Sequence, residues 1–445
     1  MNDPNGLIYY RGKYHLFFQH NPFENVWGHM SWGHAVSEDL IKWTELPVAI
    51  GDDEVHATFS GSAVVDYFNT TGFGTLENPA MVAIYTAHKH DETHQSQALA
   101  YSLDEGLTWK KYEGNPVLDL QLDHFRDPKV SWDTTTESWL MSVVLPKEKK
   151  VSFYTSDNLK EWRHLSNFGP AGATDGDWEC PDLFPLFVNG DTNKVKWVLV
   201  ISINPGGLTG GSGTQYFIGD WDGKEFRADD LQTRWIDFGR DNYAGVTFND
   251  SPNSRRVFIG WMNNWDYAKD FPTSPWRGSM TLPRELTLNL EEGKFYLCAN
   301  PVAELTNYVG AKISAGEGAE ALEIKASIST SESASTKIRV AGDDGKYLEF
   351  GYDRKSNCLF VDRTNAWNEI NSNHIHSAPV SKAEKILELQ VIVDCGSVEL
   401  FAAGGRYVIT DLIFLPGANR RVTFEINEGC QPPRSMSVHH LAPPR

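Results

Sequence analysis

Three acidic residues, Asp3, Asp127 and Glu179, stand far apart along the chain, each in a short polar string next to an apolar run. Hydrolysis of a glycosidic bond needs two carboxyl groups, one ionised as nucleophile or water activator and one protonated as acid. An apolar neighbourhood favours the protonated form of a carboxyl, and Glu179 stands between Trp178 and Cys180. Brought together, these residues could therefore break a glycosidic bond.

Each string also has an ordinary interpretation. Asp3, with Pro4 and Gly6 close behind it, is typical of a turn. Asp127 directly follows Arg126, as in a structural ion pair, and a glutamate beside a tryptophan usually has no special role. The catalytic interpretation therefore depends on whether the fold brings the strings to equivalent places.

An internal repeat indicates how the fold could do so. A similar fragment recurs about every 50 to 65 residues, at 37–43, 102–109 and 156–162, with a looser copy at 219–226. Between the copies lie short runs of β-forming residues separated by turns, and no convincing helix. Repeats of this kind are typical of a β-propeller, in which four-stranded blades surround a central channel.

Five such units fit into residues 1–295, so we predict an all-β chain that begins with a five-bladed β-propeller catalytic domain. The first strand of each blade lines the channel, and its start is expected to be polar. The five predicted starts are Asn2-Asp3, Phe59-Ser60, Arg126-Asp127, Glu179-Cys180 and Asp241-Asn242. The three acidic residues would therefore meet at one mouth of the channel.

The character of the chain changes after about residue 300. Residues 296–312 are predicted to form a linker, and the runs that follow alternate with period two between turn residues. This pattern predicts a C-terminal antiparallel β-sandwich over 313–445. It contains no cluster of residues suited to catalysis.

Composition narrows the range of partners. The net charge of −19 and the pI near 5.2 argue against nucleic acid and anionic membrane surfaces. The 15 Trp, 16 Tyr and 23 Phe offer flat apolar faces suited to sugar rings. A neutral carbohydrate is therefore the expected partner, and the sequence leaves a homodimer open.

Five strings together resemble glycoside hydrolase family 32, the family of invertases, exo-inulinases and levanases. The strings are 1–6, 59–62, 125–128, 178–182 and 276–280, and their order and spacing agree with the family over essentially the whole chain. The resemblance implies a retaining enzyme that releases terminal β-D-fructofuranosyl residues. It implies that Asp3 is the nucleophile and Glu179 the acid/base, and that Asp127 stabilises the transition state.

The same resemblance implies a fructose-binding pocket that contains Asn2, Gln19, Trp27, Phe59, Ser60, Arg126 and Trp276. Amide and guanidinium groups would bond the sugar hydroxyls, and the Trp faces would close the pocket. Trp27 and Trp276 could instead pack between blades. The strings 241–245 and 261–265 look more like those of exo-acting fructan enzymes than those of sucrose specialists.

No cofactor is expected, because the mechanism needs none. His88, His90 and His94 are close enough in sequence to suggest a metal site, but they stand in a polar, loop-like stretch, so we expect no metal there. The five cysteines are scattered without C-x-x-C spacing and reveal no disulfide framework.

Other functions remain open at this point. A fructosyltransferase would use the same covalent intermediate with a sugar acceptor, and a carbohydrate-binding protein without activity would need only the pocket. An inverting, arabinan-type propeller hydrolase would lack the string Glu179-Cys180. We expect a secreted or extracellular protein, although no signal peptide is visible and the start at Met1 suggests truncation.

Overall fold

The computed structural model describes residues 1–90, 94–314, 316–332, 334–367, 374–426 and 429–442. Strands dominate these residues, and only short 3₁₀ helices interrupt them, at Pro146–Glu148, Pro252–Ser254, Ala268–Asp270 and Ala303–Tyr308. The architecture is a five-bladed β-propeller followed by a β-sandwich, which confirms the predicted fold class.

The first three blades are separate antiparallel sheets, in which consecutive strands pair, except that the last strand of the second blade pairs with the third strand of that blade. The first blade contains β1 (Pro4–Tyr10), β2 (Lys13–His20), β3 (Ser31–Ser37) and β4 (Thr44–Ile50). The second contains β5 (His56–Val65), β6 (Met81–Lys89), β7 (Gln95–Ser102), β8 (Lys110–Lys111) and β9 (Leu118–Leu122). The third contains β10 (Arg126–Asp133), β11 (Ser138–Leu145), β12 (Lys150–Ser156) and β13 (Arg163–Phe168).

The last two blades join edge to edge through one pair, Val188 with Leu288, and so form one nine-stranded sheet. The fourth blade contains β14 (Asp177–Val188), β15 (Asp191–Asn204), β16 (Gly213–Trp221), β17 (Phe226–Ala228) and β18 (Arg234–Trp235). The fifth contains β19 (Tyr243–Thr247), β20 (Val257–Trp261), β21 (Arg284–Glu291) and β22 (Lys294–Pro301).

The repeated sequence fragment forms the turn between the third and fourth strands of a blade. In the first blade the carboxylate of Asp39 accepts hydrogen bonds from the backbone N–H groups of Ile41 and Lys42, at 3.0 and 2.8 Å. The indole of Trp43 then donates to the carbonyl of Leu40 at 2.9 Å. Trp109 and Trp162 make the same bond in the next two blades, so the repeat reports this turn chemistry.

Asn249 closes the ring at the channel. Its backbone N–H donates to Leu7 and its carbonyl accepts from Tyr9, both at 2.9 Å, which joins the fifth blade to the first. Its side-chain amide donates to the carbonyls of Ala63 and Val130, at 2.8 and 2.9 Å, on the second and third blades. One buried asparagine, through its backbone and its side chain, therefore ties four of the five blades together.

The first strand of every blade carries one extra residue at the same place. Between two paired positions this strand advances three residues while the second strand advances two, from Asn5 to Ile8, Thr58 to Gly61, Arg126 to Lys129, Glu179 to Asp182 and Tyr243 to Val246. Such a β-bulge bends the strand and redirects its side chains. The five bulges therefore turn the start of each first strand toward the mouth of the channel.

The sandwich packs two antiparallel sheets around one apolar core. The larger sheet contains β23 (Val309–Lys312), β24 (Leu322–Ser329), β29 (Ile386–Val393), β30 (Ser397–Ala402), β31 (Tyr407–Leu412) and β33 (Ser435–Leu441). The smaller contains β25 (Thr336–Ala341), β26 (Tyr347–Asp353), β27 (Cys358–Asp362), β28 (Ile375–Pro379) and β32 (Arg421–Phe424). Alternating buried positions along these strands explain the period of two in the sequence.

The segment predicted as a linker, 296–312, contains most of β22, the last 3₁₀ helix and β23. Since β22 pairs with β21 along its whole length, it belongs to the sheet of the fifth blade. We therefore propose that the first domain extends to residue 301 rather than 295.

Candidate active site

The structure brings the three predicted carboxylates together at one end of the channel. Asp3 Oδ2 and Asp127 Oδ2 lie 3.9 and 3.7 Å from the same atom, Cys180 Sγ. Arg126 Nη2 lies 2.9 Å from Glu179 Oε1, and Arg126 Nε lies 3.9 Å from Asp127 Oδ2. Residues more than 170 positions apart in sequence therefore share one buried cluster.

Their positions in the blades are not equivalent, contrary to the sequence-based expectation. Glu179 is the last paired residue before the bulge of its strand, and Arg126 occupies that position in the third blade. Asp127 is one residue further on, inside the bulge, with a left-handed φ of 63°. Asp3 precedes β1 and lies two residues before the corresponding position, Asn5. The three side chains therefore converge from three different positions relative to the bulge of their blade.

Asp3 lies in a closed, polar corner. Its Oδ1 accepts a hydrogen bond from the amide of Asn2 at 3.1 Å, and its Oδ2 accepts one from the hydroxyl of Ser60 at 3.0 Å. Burial and the nearby charge of Glu179 raise the pKa of Asp3 to about 6, against these two hydrogen bonds. Asp3 is therefore still mostly ionised at neutral pH, as a nucleophile must be.

Two hydrogen bonds, one to the side chain of Asp127 and one from its backbone, hold this residue in place. Its Oδ2 accepts a hydrogen bond from the backbone N–H of Cys180 at 3.0 Å, and its own N–H donates to the hydroxyl of Thr86 at 3.0 Å. Burial, together with the charges of Glu179 and Asp3, raises the pKa of Asp127 to about 7, although Arg126 opposes this shift. The carboxylates of Asp127 and Glu179 thus share one guanidinium, that of Arg126.

The carboxylate of Glu179 is held by two donors. Arg126 donates to Oε1 from Nε and Nη2, at 3.2 and 2.9 Å, and the phenol of Tyr243 donates to Oε2. The expectation that Trp178 gives the carboxyl of Glu179 an apolar neighbourhood is wrong, because the side chains of neighbouring residues in a strand point to opposite faces. The indole of Trp178 is buried in the core between blades and donates to the carbonyl of Ala173 at 2.9 Å.

Tyr243 is the site residue that sequence reasoning missed. It is completely buried. Burial, and to a smaller extent the charge of Glu179, raises its pKa well above the usual value, so the phenol stays protonated and serves as a hydrogen-bond donor. Its position in the blade could have identified it. Tyr243 is the last paired residue before the bulge in the fifth blade, as Glu179 is in the fourth. Without the strand pairing that place could not be identified.

The predicted binding residues fall into a buried and an exposed group. The side chains of Asn2, Gln19 and Ser60 are buried, and Gln19 donates to the carbonyl of Thr58 at 3.1 Å. Arg126 belongs to the carboxylate cluster described above. The buried members therefore line the floor beside Asp3.

The aromatic members stand at the rim. Trp27 meets the ring of Phe59 edge to face, with ring centroids 6.0 Å apart. Trp27 and Trp276 are 59% and 67% exposed, which contradicts packing between blades and leaves their faces free for a ligand. The carbonyl of Arg277 accepts a hydrogen bond from the amino group of Met1 at 2.6 Å, so the segment of Trp276 reaches the same mouth.

The three histidines considered for a metal do not face one another. His88 stacks on Phe59 with centroids 4.5 Å apart, and His94 Nε2 lies 3.2 Å from the carboxylate of Asp119. His90 pairs with the carbonyl of Asp53 at 2.9 Å. Within the described ranges, no group of three His, Cys, Asp or Glu side chains could hold a metal ion.

Two half-buried carboxylates lie in different surroundings: Asp3 has no cation against it, whereas Glu179 accepts hydrogen bonds from a guanidinium and a phenol. Such a pair provides what acid/base cleavage of a glycoside requires. On a five-bladed propeller, this arrangement defines a glycoside hydrolase.

Comparison with known proteins supports the assignment to the glycoside hydrolases. The family described as Glycosyl hydrolases family 32 N-terminal domain matches residues 1–301, and Glycosyl hydrolases family 32 C terminal matches residues 300–440. The levanase of Bacillus subtilis (strain 168) is 42% identical, over 99% of this chain and 68% of the relative. The extracellular exo-inulinase inuE of an Aspergillus niger strain is 38% identical, over 93% of this chain and 87% of the relative. This chain belongs to glycosyl hydrolases family 32.

Solved structures show the same fold over the whole length. The exo-inulinase from Aspergillus awamori superposes with a TM-score of 0.89 at 34% identity, over 100% of this chain and 96% of that one. A β-fructofuranosidase from Schwanniomyces occidentalis, complexed with fructosyl-erythritol, superposes with a TM-score of 0.91 at 31% identity, over 99% and 95%. In the described part of the chain, no helix is long and apolar enough to span a membrane.

Proposed function

We propose that this protein is a retaining, exo-acting β-fructofuranosidase that releases terminal fructosyl residues from sucrose, inulin or levan. Asp3 attacks the anomeric carbon while Glu179 protonates the departing oxygen, and water then resolves the fructosyl-enzyme with Glu179 as base. The observation that carries the proposal is the cluster in which Asp3 Oδ2 lies 3.9 Å from Sγ of Cys180, the residue next to Glu179, while Arg126 donates to Glu179 at 2.9 Å.

The surroundings of the two carboxylates support the assignment of roles. Among the described residues, the side-chain donors to the carboxylate of Asp3 are the neutral groups of Asn2, Ser60 and Cys180, so its charge is not neutralised and remains available for attack. Glu179 instead contacts Arg126 and Tyr243, whose hydrogen bonds orient its carboxyl toward a leaving group. Asp127, fixed by Cys180 N, is placed to bind fructose hydroxyls and stabilise positive charge in the transition state.

The substrate class rests on the relatives. They are named levanase, exo-inulinase and β-fructofuranosidase; the first two match this chain in sequence over 99% and 93% of its length, and the third superposes on 99% of it. The exposed faces of Trp27 and Trp276 provide apolar contact for sugar units beyond the buried pocket. The extracellular names of relatives support secretion, and a homodimer stays a prediction.

The test compares substrates that differ in leaving group. Glu179→Gln should reduce kcat/KM on sucrose by about 10²- to 10⁴-fold but reduce kcat/KM on fructosyl fluoride by less than about tenfold, because fluoride leaves without a proton and kcat/KM includes only the steps up to the fructosyl-enzyme. Asp3→Asn should abolish both reactions. Glu148→Gln, which changes an exposed glutamate paired with Lys150, is the matched control and should alter neither.

Equal losses on both substrates from Glu179→Gln would contradict the acid role. Product analysis on sucrose, inulin and levan then separates the remaining possibilities. Free fructose in proportion to substrate consumed indicates hydrolysis, whereas longer fructosyl products indicate a transferase.

A further inference from the structure

A strand of the sandwich lies along the segment that leads into β19. The backbone N–H groups of Phe238, Arg240 and Asp241 donate to carbonyls of β31, at 2.8, 3.1 and 3.0 Å. In the opposite direction the backbone N–H of Leu412, at the end of β31, donates to the carboxylate of Asp241 at 2.8 Å. The sandwich thus fixes the chain up to two residues before Tyr243.

Asp241 is the strongest of these attachments. Its Oδ1 accepts a hydrogen bond from the phenol of Tyr267 at 2.5 Å, and its Oδ2 accepts one from Arg363 Nη1 at 2.7 Å. Arg363 follows β27 in the sandwich, and both charged side chains are fully buried. Because a buried charge without its partner is costly, the Asp241–Arg363 pair resists displacement.

The residues between the pair and the active site are also held. The amide of Asn242 donates to the carboxylate of Asp237 at 3.2 Å, and Tyr243 begins β19 directly before its bulge. From Asp241 onward, the chain therefore reaches the phenol of Tyr243 with little freedom. That phenol donates to Glu179.

We propose that Arg363 and Asp241 form an interdomain anchor that positions Tyr243 against Glu179, so that a residue of the sandwich adjusts acid/base catalysis without touching substrate. Arg363 is a positioning residue in this scheme. The inference rests on the proposed acid/base role of Glu179. It gives the sandwich a catalytic consequence beyond stability.

Other charged and titratable groups also act on the two ends of this connection. Those around Glu179 are Asp3, Asp127, Arg126, Asp177, Cys180 and Tyr243. Those around Asp241 are Arg240, Tyr267, Arg363, Asp411 and His376. In this scheme the anchor acts on the groups around Glu179 only through Tyr243. Loosening the anchor can therefore be compared directly with removing the phenol of Tyr243.

The test uses Arg363→Lys and Asp241→Asn in the full chain, with Tyr243→Phe as reference. If the anchor loosens, the ionised form of Glu179 loses part of a hydrogen bond, so the alkaline limb of kcat/KM should move to higher pH by about half a unit. We expect kcat/KM on sucrose to fall about tenfold, while kcat/KM on fructosyl fluoride, which needs no proton for departure of the leaving group, changes less than about twofold. Rates are normalised to active sites counted by the burst of the fructosyl-enzyme, which corrects for unfolded protein.

Arg420→Lys is the matched control, because Arg420 is a fully buried sandwich arginine whose guanidinium, within the described ranges, donates to two sandwich carbonyls, those of Glu320 and Leu415. It should lower stability and leave the pH profile unchanged. The double variant Arg363→Lys/Tyr243→Phe should be no worse than Tyr243→Phe alone.

Additive effects in that double variant, or an unmoved pH profile in both Arg363→Lys and Asp241→Asn, would overturn the anchor. These outcomes differ from failure of the proposed function, which Glu179→Gln reports by equal losses on sucrose and fructosyl fluoride. Should Arg363→Lys give no folded protein, Asp241→Asn, which keeps the shape of the side chain, decides the question.

Discussion

Replacing Asp127 by asparagine should remove activity and stabilise the fold at neutral pH. The carboxyl of Asp127 is buried, and its pKa is raised from 3.8 to about 7 first by burial and then by the charges of Glu179 and Asp3. A group whose pKa is higher in the folded than in the unfolded protein favours folding when protonated. Stability is therefore lost as pH rises from about 4 through about 7.

The size of the effect follows from the shift. One pH unit of pKa difference is worth about 1.4 kcal/mol, so a shift of about three units sets an upper limit of about 4 kcal/mol. Asparagine retains an oxygen for the N–H of Cys180 but carries no charge for Arg126, which offsets part of the gain. We expect Asp127→Asn to raise the free energy of unfolding by about 1–3 kcal/mol at pH 8 and by less than about 0.5 kcal/mol at pH 4.

Urea unfolding of wild type and Asp127→Asn at pH 4, 6 and 8 measures this difference. Asp157→Asn is the control, because Asp157 is 71% exposed and pairs with Arg163 on the surface. Its effect should stay below about 1 kcal/mol at every pH. A difference between Asp127→Asn and wild type that does not grow from pH 4 to pH 8 would refute the idea that this ionised carboxylate costs stability.

Three further outcomes are expected. Arg284 joins the domains, because it donates to the buried carboxylate of Glu399 at 2.7 Å. In thermal or urea unfolding, Arg284→Met should lower the free energy of unfolding by about 3–5 kcal/mol and Glu399→Gln by about 1–3 kcal/mol. Both variants should keep turnover per active site on sucrose within a few fold of wild type. Trp276→Ala should raise KM for inulin about two- to tenfold with little change in kcat, measured by steady-state kinetics. A crystal structure with bound fructose should place the carboxyls of Asp3 and Glu179 about 5 to 5.5 Å apart, whereas about 8 to 9 Å would indicate inversion.

Much of the fold could be predicted because its signals are local. The turn that ends in Trp43 recurs as Trp109 and Trp162, each bonding a carbonyl three residues back, and so leaves a visible repeat in the sequence. Alternation with period two marked the strands of the sandwich in the same way. The C-terminal boundary of the propeller was less predictable, because the residues after 295 belong to the fifth blade only through their pairing with β21.

The site was predictable in its residues and not in its contacts. Asp3, Asp127 and Glu179 stood out because each lies in a distinctive string. Their surroundings did not follow from those strings, since the neighbour of Glu179 in sequence, Trp178, faces the core, while its neighbour in space, Tyr243, is 64 residues away. Strand pleating separates adjacent side chains, and ring closure brings distant ones together.

The sequence alone determined the all-β architecture, the order of the two domains and the acidic residues, because turns and strands depend on nearby residues. Only the tertiary structure decided that each first strand carries one extra residue, as after Arg126 and Glu179, and that the three carboxylates meet in one cluster although they differ in position relative to it. The structure also decided that Arg363 of the sandwich reaches Asp241 of the propeller. Burial and charge at these places arise from several blades at once, so no local stretch of sequence could encode them.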